Sequence, residues 1–86
     1  MLDRIYVYQI FSGKKKPSRD KLIALAFGLY LSDEEAQKML KLSGNRPLYI
    51  NDKRDVLILF ALQKEMTILE VNELLFSHNF ELLGSP

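Results

Sequence analysis

Residues 4–29 read RIYVYQIFSGKKKPSRDKLIALAFGL: an apolar stripe, a stop, three lysines, and a second apolar stripe. Val7, Ile10 and Phe11 fall at i, i+3 and i+4, the spacing of one helix face. Asp3 can cap such a helix, because its carboxylate accepts from the free amides of the first turn. Gly13 suits the left-handed residue that ends a helix. Pro17 has no amide to donate and fits a first helical turn. Leu22, Leu25, Ala26 and Leu29 then repeat the stripe. The spacing predicts helices over about 3–12 and 18–30, joined by a basic turn at Lys14, Lys15 and Lys16.

The first predicted helix leaves Arg4, Ile5, Tyr8 and Gln9 on or beside the face opposite its stripe. Arg can make two hydrogen bonds to guanine, and Gln two to adenine. Lys14, Lys15, Lys16 and Arg19 follow that helix, where a duplex backbone would run. Phosphate contacts hold register while base contacts give sequence preference, and the stretch holds residues for both.

Tyr8-Gln9-Ile10-Phe11-Ser12-Gly13-Lys14-Lys15-Lys16-Pro17-Ser18, followed by Leu22-Ile23-Ala24-Leu25-Ala26 and Leu29, resembles the phage-repressor/Cro-type (XRE) helix-turn-helix family. The resemblance covers residues 2 to 43, about half the chain. It implies a recognition helix with Arg4, Ile5, Tyr8 and Gln9 at bases, and Asp3, Lys14, Lys15 and Lys16 at the backbone. It also implies double-stranded DNA as partner and a homodimer on two half-sites. The family usually places two helices before the recognition helix. Here Met1-Leu2-Asp3 is already at its cap, so the chain reads as lacking them. A second copy or a protein partner would then cover the Val7, Ile10 and Phe11 side, because an exposed apolar patch of that kind marks an interface.

Eighty-six residues make one small domain with a modest core. The absence of cysteine excludes disulfides and thiolate metal sites and fits a reducing, cytoplasmic setting. No stretch has the length of a membrane span, and no signal peptide is evident. The net charge of +1 is unevenly spread. Residues 1–21 carry six basic and two acidic side chains, residues 22–86 six and nine. One end of the chain is therefore suited to meeting phosphate.

The remainder predicts further helices. Ser32-Asp33-Glu34-Glu35 is a capping box, opening a helix over 33–43 with Ala36, Met39, Leu40 and Leu42 on the inner side. Gly44 ends it. Pro47 lies in a connector whose Leu48, Tyr49 and Ile50 pack on the bundle. Asn51 or Asp52 caps a segment over 52–65, whose run Val56-Leu-Ile-Leu-Phe-Ala-Leu62 alone would also suit a buried strand. Its length, its charged flanks and the lack of a partner strand favour a helix, and one apolar all round is a central helix. As hub, it would lose roughly 3–5 kcal/mol on Phe60→Ala. Thr67-Ile68-Leu69-Glu70 is a second capping box, opening a helix over 68–78 that Asn79 closes. No internal repeat is expected.

Catalysis finds no support. Ser12, Ser18 and Ser32 sit in turn or cap positions, and His78 has no nucleophilic or acidic partner in the sequence. No metal-ligand spacing occurs, and no cofactor is expected. The expected fold is an all-α bundle of four to five helices: a helix-turn-helix-like part over 1–44 and a C-terminal helical part over 45–86, in one domain. The expected function is sequence-specific DNA-binding transcriptional regulation, by a small regulator or a truncated piece of one. The rival is a protein–protein interaction or dimerisation module that has lost DNA binding, with helices 52–78 as the contact surface.

Overall fold

Ser18 accepts a hydrogen bond from the Lys21 amide, and this N-cap opens the helix that begins at Arg19. The computed structural model describes residues 18–84. The expected helix over 3–12, the lysine turn and Pro17 lie outside the described residues, as do Ser85 and Pro86. Among the described residues there are four α-helices and no strand: α1 Arg19–Gly28, α2 Asp33–Leu42, α3 Lys53–Gln63 and α4 Ile68–Ser77. They fall within two residues of the predicted spans at each end.

Helix starts and stops are set by local chemistry. Both expected capping boxes form: Ser32 with Glu35, and Thr67 with Glu70. Asp52 caps α3 by accepting from the Arg54 and Asp55 amides. The Asp55 amide is the main reason the Asp52 carboxyl sits below the usual carboxylate range. All four helices end alike, in two backbone bonds that satisfy their last carbonyls. After α1, the Tyr30 amide donates to Phe27 and the Leu31 amide to Ala26; after α3, Glu65 donates to Leu62 and Met66 to Ala61. The pivot residue is left-handed each time: Tyr30 (φ 55°), Gly44 (φ 76°), Glu65 (φ 55°) and Asn79 (φ 62°).

The helices close into a ring, α1 on α2, α2 on α3, α3 on α4, and α4 on α1. One apolar core runs through them and takes in Leu48 and Leu83 from the segments that follow α2 and α4. The central helix is not the expected one. Leu22, Ile23, Ala24, Leu25, Ala26 and Phe27 are all buried, so α1 is enclosed on every side. In α3 only Asp55, Ile58, Ala61 and Leu62 are buried, and Phe60 is 43% exposed. The continuous apolar run of α3 suggests a hub, whereas a third of α1's buried run is Ala24 and Ala26, whose small side chains let neighbouring helices approach. Leu42, Tyr49 and Ile50 are also exposed rather than packed; only Leu48 of that connector is buried.

The second departure is an internal repeat. A shift of 35 residues superposes the first half of the described chain on the second. Arg19-Asp20 becomes Arg54-Asp55, Leu22-Ile23 becomes Leu57-Ile58, Ala26 becomes Ala61, and Glu35 becomes Glu70. Leu40 becomes Leu75 and Leu48 becomes Leu83. The hydrogen bonds repeat with the residues. Gln37 holds the backbone of Leu48 through two of them, amide to Oε1 at 2.7 Å and Nε2 to carbonyl at 2.8 Å. Asn72, 35 residues on, holds Leu83 the same way at 2.8 and 3.1 Å. Arg19 Nε donates to the Arg46 carbonyl, and Arg54 Nε to the Glu81 carbonyl. Each half is thus a helical hairpin followed by a strap that its second helix pins down.

Burial separates two neighbouring residues of α3. Ile58→Ala should cost about 2–5 kcal/mol in urea unfolding, because Ile58 is fully enclosed. Phe60→Ala should cost under about 1.5 kcal/mol, since much of its ring is already in water. Equal losses would contradict the placement of α3.

Candidate interaction surface

The expected DNA-binding set is Asp3, Arg4, Ile5, Tyr8, Gln9, Lys14, Lys15, Lys16 and Arg19. All but Arg19 lie outside the described residues. Arg19 is turned inward. Its Nη2 donates to Asp55 Oδ2 at 2.8 Å and to the Pro47 carbonyl at 3.0 Å, beside the Nε bond to Arg46. It sits on the first turn of α1, where a charged partner from α3 is closer than solvent. An arginine following three lysines looks like part of a basic turn, but here its planar fork serves the fold.

The twin contact is Arg54 with Asp20. Two parallel bonds of 3.0 Å join the guanidinium to both carboxylate oxygens. So the arginine of each half grips the aspartate of the other. The two grips differ in burial. Asp55 is 1% exposed and also accepts from the Tyr49 amide at 3.0 Å, with Arg46 at 3.8 Å. Asp20 is at the rim, part-exposed. Among the described residues, no buried side-chain polar atom is left without a partner.

At the opposite end, where the α1–α2 and α3–α4 turns meet, lies a depression of about 340 Å³. Phe27, Leu31, Leu62 and Met66 form its floor, and Asp33, Glu35 and Glu65 stand at its edge. Glu35 is committed to the Ser32 amide. Asp33 accepts from Gln63 Nε2 at 2.9 Å, and that bond foremost holds its carboxyl below the ordinary range. These carboxylates serve helix capping and the joint between halves. Among the described residues no group of three or more His, Cys, Asp or Glu is arranged to hold a metal ion, and no helix is long and apolar enough to cross a membrane. His78 caps the end of α4, with Nδ1 2.9 Å from the Leu74 carbonyl.

The outer faces of α3 and α4 are different in kind. On α4, Leu69 and Phe76 are each 73% exposed, and Glu73 lies between them on the same side. On α3, Val56 and Phe60 occupy the middle of the solvent-facing side, with Lys53 and Lys64 at its ends. The Lys64 ammonium lies 5.8 Å from the Phe60 ring centre. Beside Val56 a groove of about 470 Å³ is lined by Ile50, Leu57 and Phe80, with Lys53 and His78 at its margin. The internal repeat supplies a control for these faces. The counterparts of Leu69, Glu73 and Phe76 on α2 are Glu34, Lys38 and Lys41, an ordinary charged surface. The sequence points to the helices over 52–78 as a contact surface without singling out Leu69 and Phe76, because an apolar run does not show which of its side chains are covered.

No family model matches the chain, and neither the curated proteins nor the solved structures give a match.

Proposed function

We propose that the four-helix unit formed by residues 18–84 is a protein–protein interaction module. One observation carries this reading: α4 exposes Leu69 and Phe76 at the positions where its twin α2 has Glu34 and Lys41. Two helices that open with the same kind of capping box and bury matching positions, Ala36 and Leu40 on one and Val71 and Leu75 on the other, have similar structural needs. The leucine and phenylalanine on one of them answer to something outside the unit. Large exposed apolar side chains grouped on one face are the usual sign of a docking surface, and aromatic residues are enriched in such surfaces.

A second reading concerns DNA. Residues 18–84 hold eight basic and ten acidic side chains, while residues 1–17 hold four basic and one acidic. The four-helix unit is thus mildly acidic, and Arg19 is committed to Asp55. Any affinity of the chain for a duplex rests on Arg4 and Lys14–Lys16, as the resemblance to the phage-repressor family implies. In that case the module would bring a DNA-binding segment to its partner.

Different measurements test the two readings. The double variant Leu69→Lys, Phe76→Lys should unfold in urea within about 0.5 kcal/mol of the wild type, as surface changes do. A loss above about 2 kcal/mol would show that these side chains belong to the core of the chain itself and would overturn the docking reading. For DNA, changing Lys14, Lys15 and Lys16 together to Ala should reduce affinity for all duplexes alike. The slope of log affinity against log salt should shrink by about 3, roughly one unit for each phosphate no longer neutralised. An unchanged slope would remove the lysine run from the phosphate backbone.

A further inference from the structure

The exposed faces of α3 and α4 fit one another. The α3 face has an apolar middle, Val56 and Phe60, with Lys53 and Lys64 at its ends. The α4 face has two large apolar side chains, Leu69 and Phe76, with Glu73 between them. From the helical rise, Lys53 and Lys64 stand about 16 Å apart, and Leu69 and Phe76 about 10 Å. Both faces therefore span two to three turns. We propose that α3 of one copy of this chain docks against α4 of a second copy. The proposal rests on the interaction-module reading and names the partner.

Charge decides among the pairings. Placing α3 against α3 brings Lys53 and Lys64 of one copy up to the same lysines of the other. Placing α4 against α4 sets the two Glu73 carboxylates, with Glu70 beside them, against each other. Like charges facing across a contact are unfavourable and steer association away from both arrangements. Placing α3 against α4 sets Glu73 over the Val56–Phe60 middle, within reach of the Lys64 ammonium that lies on the Phe60 ring, and puts Leu69 and Phe76 beside the same apolar groups. The Lys64 ammonium already leans over the Phe60 ring, so a carboxylate arriving beside that ring meets a cation in place. The groove beside Val56 has an apolar lining of Ile50, Leu57 and Phe80, and it has room for an incoming Phe76 or Leu69 side chain. Exposed ion pairs add little energy by themselves. The apolar groups drive the contact and the charges select its pairing.

Mixing two disabled copies of the full chain tests this. One variant, Val56→Asp with Phe60→Asp, loses the α3 face and keeps α4. The other, Leu69→Lys with Phe76→Lys, loses the α4 face and keeps α3. A single cooperative urea transition with the wild-type slope establishes that each variant is folded, at a lower midpoint for Val56→Asp with Phe60→Asp because those side chains are partly buried. Sedimentation at concentrations up to about 1 mM covers even a weak contact. The wild type should gain mass with concentration, each variant alone should remain a monomer, and their mixture should recover a dimer. Raised salt should lower the recovered fraction, because the pairing charges are exposed. A wild type that stays monomeric throughout overturns the proposal and leaves the module with a different protein as partner. A variant that self-associates as strongly as the wild type overturns the α3–α4 pairing, and so does a mixture no heavier than its components.

Discussion

The grip between Arg19 and Asp55 is the contact on which the rest of this structure depends. It joins the first turn of α1 to the first turn of α3 and draws in the backbone of the connector at Arg46, Pro47 and Tyr49. Asp55 is enclosed, and an enclosed carboxylate is tolerable only when its oxygens are matched. Here a guanidinium and a backbone amide both donate to Asp55 Oδ2. Arg54 and Asp20 return the grip from the other side. Reciprocity of this kind belongs to a twofold relation between the halves: whatever α1 does to α3, α3 does to α1. The helix pairs obey the same relation, since α1 on α4 maps onto α3 on α2.

Around that joint the chain builds the same hairpin twice. The local chemistry of the halves is alike: a hydroxyl-and-glutamate box to open the second helix, a left-handed residue to close each helix, and an amide side chain to pin the strap. The halves then diverge where the joint does not constrain them. α1 is enclosed and lies at the centre, whereas α3 keeps Val56 and Phe60 toward solvent. α2 carries Glu34, Lys38 and Lys41 where α4 carries Leu69, Glu73 and Phe76. That divergence is the basis for reading the unit as a docking module. Duplicated scaffolds have matching structural demands, so residues that differ between the copies report on contacts beyond the scaffold.

Much of the fold was legible in the sequence. Three of the helices follow from periodicity and the helix over 52–65 from its length and charged flanks, and the starts at Ser32 and Thr67 follow from their capping boxes, because capping is local chemistry. The centre of the core was not legible. Val56 to Leu62 is the longest apolar run in the chain, but a run shows only that every side of a helix is apolar, not which sides are covered. The repeat was hidden because its halves share few identical residues and the decisive ones, Arg19-Asp20 and Arg54-Asp55, look like solvated flanks. Gln37 and Asn72 differ in length while holding the strap in the same way. Arg19 shows the same limit at the level of one side chain. Its sequence neighbours include lysines, but its spatial neighbour is Asp55, 36 residues away. Nothing local points there.

The double-mutant cycle between Arg19 and Asp55 measures the joint most directly. Arg19→Gln, Asp55→Asn and the combined variant would each be unfolded in urea. If the two side chains hold one another, each single change is costly, because it strands the other group, and the pair costs less than the sum of the two. A coupling of about 1–3 kcal/mol is expected for such a contact. Losses that add to within about 0.3–0.5 kcal/mol, the behaviour of independent sites, would contradict it: the halves would then be held by the apolar core and their other polar contacts, without this grip.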